Sequence, residues 1–330
     1  MARRGKKKSG SRATISGVFC VVVAVVAVII QNIFGIDILG FLQDAGVEID
    51  GNTQVNLNKP DQQNTNIVLQ EGEMVIHFLD IDQGLCILVQ SEGENLIYDG
   101  GDKKTADEVV AYLKEQGVET IDYLISSHYD SDHVSGLINC LENFDVEYVI
   151  SSDYVHESKT YENFIAAVEA KGLTPNHPAV GETFTFGNGG FTILAPETID
   201  EDDSNANSVA IKLVNGNHSF IITGDAEMKN EAEMCETGID LECDILVPGH
   251  HGSATATSWD FLEATLPEYA VISCGQDNSY GHPHEETMEK LESANVQVFR
   301  TDIQGTIVAT SDGTNLTWSQ EPCNDYTSGD

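Results

Sequence analysis

The chain has 330 residues, enough for one large domain or two small ones, and carries a formal net charge of -38 from 16 basic and 54 acidic residues. Six of the basic residues (Arg3, Arg4, Lys6, Lys7, Lys8 and Arg12) precede the first acidic one, Asp37, so the remainder sets ten basic side chains against 54 acidic ones. This argues against a general polyanion-binding surface, which needs Lys and Arg to neutralise phosphates, and the lack of a C-x-x-C pair among seven cysteines argues against a thiolate metal module.

Residues 1–14 form a basic head expected to stay in the cytoplasm. Ile15 to Ile36 follows, rich in Val, Ile and Ala. As a helix it would reach roughly 33 Å, about the hydrocarbon thickness of a bilayer, which predicts one transmembrane anchor over 15–36 with the acidic bulk outside the cell. A cleaved signal peptide, and hence a secreted protein, is the alternative; no small-x-small cleavage pattern follows the apolar run, which favours the anchor. Residues 37–72 have the Asn, Gln, Asp and Gly content of a polar stalk.

Regular structure is expected from Met74. Met74–Asp80, Leu85–Gln90 and Asn95–Asp99 read as strands of a meander, and Thr105–Gln116 as a helix stopped by Gly117. Ile121–Ser126 reads as a strand and Ser135 to about Glu142 as a helix. Val146–Ser151 is a further strand and Tyr161–Lys171 a helix ended by Gly172. Hairpins are predicted over Phe184–Leu194 and Ser208–Thr223, then a helix near Met228–Glu236 and a strand at Asp244–Val247. A helix, the strand Tyr269–Cys274, the helix Pro283–Ala294 and strands within Val296–Trp318 complete a domain over 73–320, followed by a polar tail, 321–330. Two groups of strands with helices between and around them fit an α/β fold of two packed sheets with helices outside. Cys86 and Cys274 fall in apolar runs and read as buried small hydrophobes, while Cys235 and Cys243 could pair outside a cell.

The densest chemistry lies in Ser126-Ser-His-Tyr-Asp-Ser-Asp-His133, where His128, Asp130, Asp132 and His133 fall within six residues at the end of an apolar strand. Two imidazoles and two carboxylates so close suit a divalent transition metal and can begin a two-metal site. Asp99 before Gly100-Gly101, Thr223-Gly-Asp225 and His250-His251 also follow apolar strands and could turn out at the same sheet edge.

These motifs resemble those of the metallo-β-lactamase superfamily, and within it the branch that includes the extracellular hydrolase domain of ComEC competence proteins. The H-x-D-x-D-H element is matched by His128, Asp130, Asp132 and His133, the Thr-Gly-Asp by Asp225, and the H-H-G-S by His250-His-Gly-Ser253. The Asn-x-x-Ser step is Asn205 with Ser208. Tyr280-Gly-His-Pro283, Arg300-Thr-Asp302 and Gly305-Thr-Ile307 match the closing elements. The likeness runs from about residue 74 to 319. It departs at Asp80-Ile-Asp-Gln-Gly84, which runs into Leu85-Cys86 where the branch has an Asp-Val-Gly-Gln-Gly-Asp-Ser-like turn, and one membrane span cannot form a polytopic channel.

The resemblance implies an αββα four-layer sandwich holding two divalent ions, Zn or Mn. It assigns His128 and Asp130 to one ion, Asp132 and His133 to the other, and Asp225 as the bridge. His250 is taken as a further ligand with His251 facing substrate, an order that could be reversed. Asp132, His251 and His282 are the candidate catalytic groups, and Asn205 and Ser208 are taken as supporting or substrate-facing. Asp99 is read either as orienting a ligand imidazole or as a turn residue. His282 could give a proton or a hydrogen bond to a leaving group, or merely cap a helix. His77, His156, His177 and His218 have no such context.

The expected activity is hydrolysis of a phosphodiester by a metal-bound hydroxide, as a phosphodiesterase or nuclease. The charge favours a small phosphodiester, a cell-envelope polymer or a nucleic-acid end over extended DNA. A lactam, lactone or thioester hydrolase on the same fold is the second reading. A tethered binding module without catalysis is the third.

Overall fold

The computed structural model describes residues 72–329. The expected head, membrane anchor and stalk up to residue 71 lie outside the described residues. Among those described, no helix is long and apolar enough to cross a membrane.

Strands β1 (Met74–Phe78), β2 (Ile87–Ser91) and β3 (Glu94–Tyr98) form the predicted antiparallel meander. The period then changes to helical, and α1 (Ala106–Glu115) carries the chain to β4 (Thr120–Ile125), parallel to β3. Helix α2 (Ser131–Asn143) leads to β5 (Asp145–Ile150), again parallel. After α3 (Lys159–Ala170) come two hairpins, β6 (Thr183–Phe186) with β7 (Gly189–Ala195) and β8 (Ala210–Asn215) with β9 (His218–Ile222). Helix α4 (Met228–Glu236), β10 (Ile245–Val247), α5 (Trp259–Thr265), β11 (Tyr269–Ile272), α6 (Glu285–Ser293) and β12 (Gln297–Arg300) follow. A one-turn helix α7 (Thr301–Gln304) returns the chain to the first sheet as β13 (Ile307–Ser311) and β14 (Leu316–Trp318).

Two seven-stranded sheets result, in the orders β14-β13-β1-β2-β3-β4-β5 and β12-β11-β10-β9-β8-β7-β6. Their facing sides share one apolar cluster, to which β1 to β3 give Ile76, Phe78, Ile87 and Tyr98, and β7 to β10 give Phe191, Ile211, Phe220 and Val247. A second cluster lies between the first sheet and α1, α2 and α3, and a third joins the other sheet to α4, α5 and α6. The layering is helix, sheet, sheet, helix. Central strands covered on both faces read as near-continuous apolar runs rather than alternating, and all five residues of β1 are buried, the one polar residue His77 included. The six described cysteines are free thiols, Cys235 and Cys243 among them.

The structure differs from the sequence expectation at two places. Helix α2 begins at Ser131, four residues before the expected Ser135, because extended Asp130 takes the N-cap position and its carbonyl accepts from the amide of Val134. Asp132 and His133 therefore ride on the first helical turn, which is stiffer than a loop. The residues expected as a polar tail pack along the edge strand β12: Asn324 exchanges hydrogen bonds with Val298 at 3.1 and 3.0 Å, and Tyr326 donates to the Val296 carbonyl at 2.8 Å.

Helix α2 also lies against the turn after β3. The amide of Gly100 donates to the carbonyl of His133 (2.7 Å) and that of Gly136 to the carbonyl of Gly101 (3.0 Å). A Cβ on Gly136 would stand 1.7 Å from the Gly100 oxygen, so only glycine permits this approach.

Candidate metal centre

Asp99 follows β3, His128 follows β4, Asp225 follows β9, and His250 and His251 follow β10. Because β3 and β4 are parallel, as are β9, β10, β11 and β12, these residues leave their sheets at the same edges. The first sheet thus delivers His128, Asp130, Asp132 and His133 and the second Asp225, His250 and His251 across the seam between the sheets.

Their donor atoms converge. Two groups, His128 with His133 and Asp225, and Asp132 with His133 and His251, have donor atoms within 4.8 Å of one another. His133 Nε2 lies 3.2 Å from Asp225 Oδ1 and 3.9 Å from Asp132 Oδ2, and His251 Nε2 lies 3.6 and 3.5 Å from the same two oxygens. His250 approaches the other oxygen of Asp225, with Nε2 3.7 Å from Oδ2. Asp130 Oδ2 is 3.8 Å from His128 Nε2. Both histidines of the pair therefore face Asp225, from opposite oxygens, but they differ in setting: His251 is almost wholly buried and a quarter of the His250 side chain is exposed.

The outer hydrogen bonds set which ring nitrogens are free. His133 Nδ1–H donates to Asp99 Oδ2 at 2.8 Å. Ser127 donates its hydroxyl to the same oxygen at 2.7 Å and its amide to Oδ1 at 2.8 Å, so its own oxygen accepts from His128 Nδ1–H at 2.9 Å. His251 Nδ1–H donates to the Ser273 carbonyl at 2.9 Å. In their neutral forms all three rings turn an Nε2 lone pair inward. Those nitrogens and Asp225 Oδ1 are buried without a hydrogen-bond partner. Four buried donors with no partner and their lone pairs turned to one place fit a divalent cation, and the mixed imidazole and carboxylate set suits a borderline transition metal.

Burial disfavours the charged form of His133, but Asp225, Asp99 and Asp132 outweigh it and hold its pKa well above the ordinary histidine value. Burial alone would raise Asp225; His133 and His251 instead hold it well below the usual carboxylate range. His128 is lowered by burial and by the neighbouring His133.

The remaining predicted residues surround this group. Asp99 is completely buried and orients His133 directly and His128 through Ser127. The Ser208 hydroxyl accepts from the Asp225 amide at 3.1 Å, and Asn205 Nδ2 lies 3.4 Å from His250 Nδ1. His282 sits with its ring centroid 5.3 Å from that of His250 and 5.9 Å from that of His251. Burial and those two neighbours push its pKa down to about 3. Gln83, from the turn that departs from the family pattern, reaches His282 Nδ1 at 3.5 Å and accepts from the Gly275 amide at 3.1 Å.

Several participants had no sequence signal. Ser127 reads as one hydroxyl in a Ser-Ser pair. Tyr154 and Ser204 are far apart in the chain, yet the Tyr154 hydroxyl meets Ser204 Oγ, which donates to Asp130 Oδ1 at 2.7 Å. Glu227, 3.3 Å from His250 Nδ1, reads as a helix-start residue. His156, set aside in the sequence reading, brings Nε2 to 3.9 Å from Asp130 Oδ1.

Asp99→Asn should weaken metal binding by about 10- to 100-fold, because an amide offers one acceptor oxygen where the carboxylate offers two and cannot serve the Ser127 amide, the Ser127 hydroxyl and His133 Nδ1–H together. Titration calorimetry with Zn²⁺ checks this; unchanged affinity would reduce Asp99 to a turn residue.

The chain is similar to several known proteins. Residues 79–276 match the family model described as the metallo-beta-lactamase superfamily. ComE operon protein 3 of Bacillus subtilis (strain 168) is 30% identical over 256 residues, covering 72% of this chain and 33% of that protein. Competence protein ComA of Neisseria gonorrhoeae is 30% identical over 241 residues, covering 72% and 32%. The chain thus spans about a third of the length of these relatives. Among solved structures, the metallo-beta-lactamase fold protein YhfI of Bacillus subtilis is 14% identical with a TM-score of 0.48, covering 72% of this chain and 100% of that one. From its matched residues and its relatives, this chain belongs to the metallo-β-lactamase superfamily, in the ComEC-like branch.

Proposed function

We propose that the domain is a phosphodiesterase working at a two-ion centre, held outside the cell by the apolar segment 15–36. The observation that carries the metal centre is the set of buried, unpartnered donors of His128, His133, His251 and Asp225, with ring orientations fixed from outside. One ion would be held by Asp132, His133, His251 and one oxygen of Asp225. The other would be held by His128, Asp130, His250 and the second Asp225 oxygen. Bound there, divalent ions, zinc or manganese, would supply activation of a water near neutral pH and withdrawal of charge from the scissile group.

The chain's own residues do the rest. Asp99 and Ser127 lock the imidazoles, while Ser204 and Tyr154 hold Asp130. His282, neutral at physiological pH, gives a hydrogen bond to developing charge rather than a stored proton. A groove of about 360 Å³ opens from Asp132 past Gln83, Lys104, Asn278 and Tyr280, where Lys104 and the side-chain amides offer donors among the carboxylates of Asp82, Asp102 and Asp277. The name of one relative, competence protein ComA, speaks of competence. With ten basic residues beyond the head, a short phosphodiester or a strand end is the favoured substrate over a long duplex.

The test uses the full chain in detergent with Zn²⁺ or Mn²⁺, assayed on bis(p-nitrophenyl) phosphate and on a chromogenic lactam. Turnover of the first only supports the proposal, and turnover of the second only would move the activity to acyl hydrolysis. About two bound ions with no turnover on either would leave a binding module. The metal titration has its own expected sign. The proton that His133 keeps above the ordinary histidine pKa must leave when an ion binds, so affinity rises with pH toward that raised value and protons are released. Calorimetry in buffers of different ionisation enthalpy reads the release.

A further inference from the structure

We propose that a second cavity beside the metal centre seats one ester arm of the substrate, an apolar group without negative charge; this rests on the phosphodiesterase reading. The cavity, of about 610 Å³, is lined by Tyr129, Tyr154, Val155, Tyr161 and Ile199 among others. It flanks the centre on the Asp130 side. Tyr154, in its lining, reaches Asp130 through Ser204. His156, adjoining Val155, faces Asp130 at the rim; the Ser158 amide donates to its Nδ1 at 3.2 Å, so in the neutral ring the proton lies on Nε2, toward Asp130.

The lining states what fits. Val155 is 79% exposed, the most open large apolar side chain among the described residues, and Ile199 is 41% exposed. Apolar groups left open next to a polar reaction centre stabilise a ligand by giving up their water contact. The charged lining residues are Asp153, Glu157 and Glu201, with no lysine or arginine, so a second phosphate on this side would meet three carboxylates and no cation. The opposite groove, past Asp132, holds Lys104 together with Asp82, Asp102 and Asp277. Both sides of the centre are anionic, and what sets the Asp130 side apart is its open apolar and aromatic lining, which takes an alkyl or aryl extension.

The test compares three p-nitrophenyl phosphodiesters on the metal-loaded full chain: the methyl ester, the 2-phenylethyl ester, and a 2-phenylethyl ester bearing a phosphonate on its ring. The phenylethyl ester is expected to exceed the methyl ester in kcat/KM by roughly tenfold, and the phosphonate ester to fall back to the methyl level or below. Tyr161→Ala should remove most of the phenylethyl advantage and leave the methyl ester unchanged, and Glu201→Lys should raise the phosphonate ester selectively. Equal turnover of methyl and phenylethyl esters, a preference for the phosphonate ester, or an advantage that survives Tyr161→Ala overturns the cavity assignment while leaving the phosphodiesterase standing. No turnover of any of the three with Mn²⁺ or Zn²⁺ overturns that underlying reading and the cavity with it.

Discussion

Asp225→Asn should lower kcat/KM for a phosphodiester by about a thousandfold or more and strip metal from the protein, with little change in fold. The side chains are nearly isosteric, and the backbone bond from residue 225 to Ser208 does not involve the carboxylate. What changes is charge. Asp225 is the one group that faces His133 and His251 through Oδ1 and His250 through Oδ2, so its loss removes a shared ligand from both halves of the centre. Without its negative charge the support that holds His133 above the ordinary histidine value also weakens, and the pKa of that ring should fall. Elemental analysis, steady-state kinetics and the histidine ¹⁵N shifts read the three effects separately. Wild-type turnover in this variant would exclude a centre bridged by Asp225.

Gly136→Ala should destabilise the domain by roughly 3 kcal/mol or more, against the usual sign of that substitution in a helix. In an open helix alanine gains about 1 kcal/mol over glycine. Here the added carbon would meet the Gly100 carbonyl at 1.7 Å, and the helix would have to lift. Lifting it breaks the bond from the Gly100 amide to the His133 carbonyl, so site and stability should fail together. Urea unfolding with a parallel metal titration tests this; a variant as stable as the parent would mean that α2 does not sit so close.

Much of this fold was legible because local chemistry and tertiary position agree. The strands that proved central, such as β1 and β10, are short, mostly apolar runs, and the helix after β3 places Val109, Val110 and Leu113 at three-to-four spacing. The cluster from His128 to His133 is dense enough to announce itself. Less visible was the start of α2, since Asp130 caps that helix with its backbone while its side chain serves the centre. The environment that separates His250 from His251 could not be read either, because adjacent residues in an irregular turn have no period to say which ring goes inward. Ser127, Tyr154, Ser204 and His156 matter through partners distant in the chain or through bond direction, and neither leaves a trace in composition. The packing of Asn324 and Tyr326 onto β12 was missed for a related reason: a polar segment can satisfy an edge strand with backbone and amide bonds, which hydropathy does not register.

The seam between the sheets has a mechanical meaning. His128, Asp132 and His133 come from one half of the domain and Asp225, His250 and His251 from the other, so an ion bound among them rivets the halves together. Folded protein then binds what the opened chain cannot, and resistance to heat should climb with the logarithm of free metal concentration. A chelator would act on such a molecule as a denaturant as much as an inhibitor.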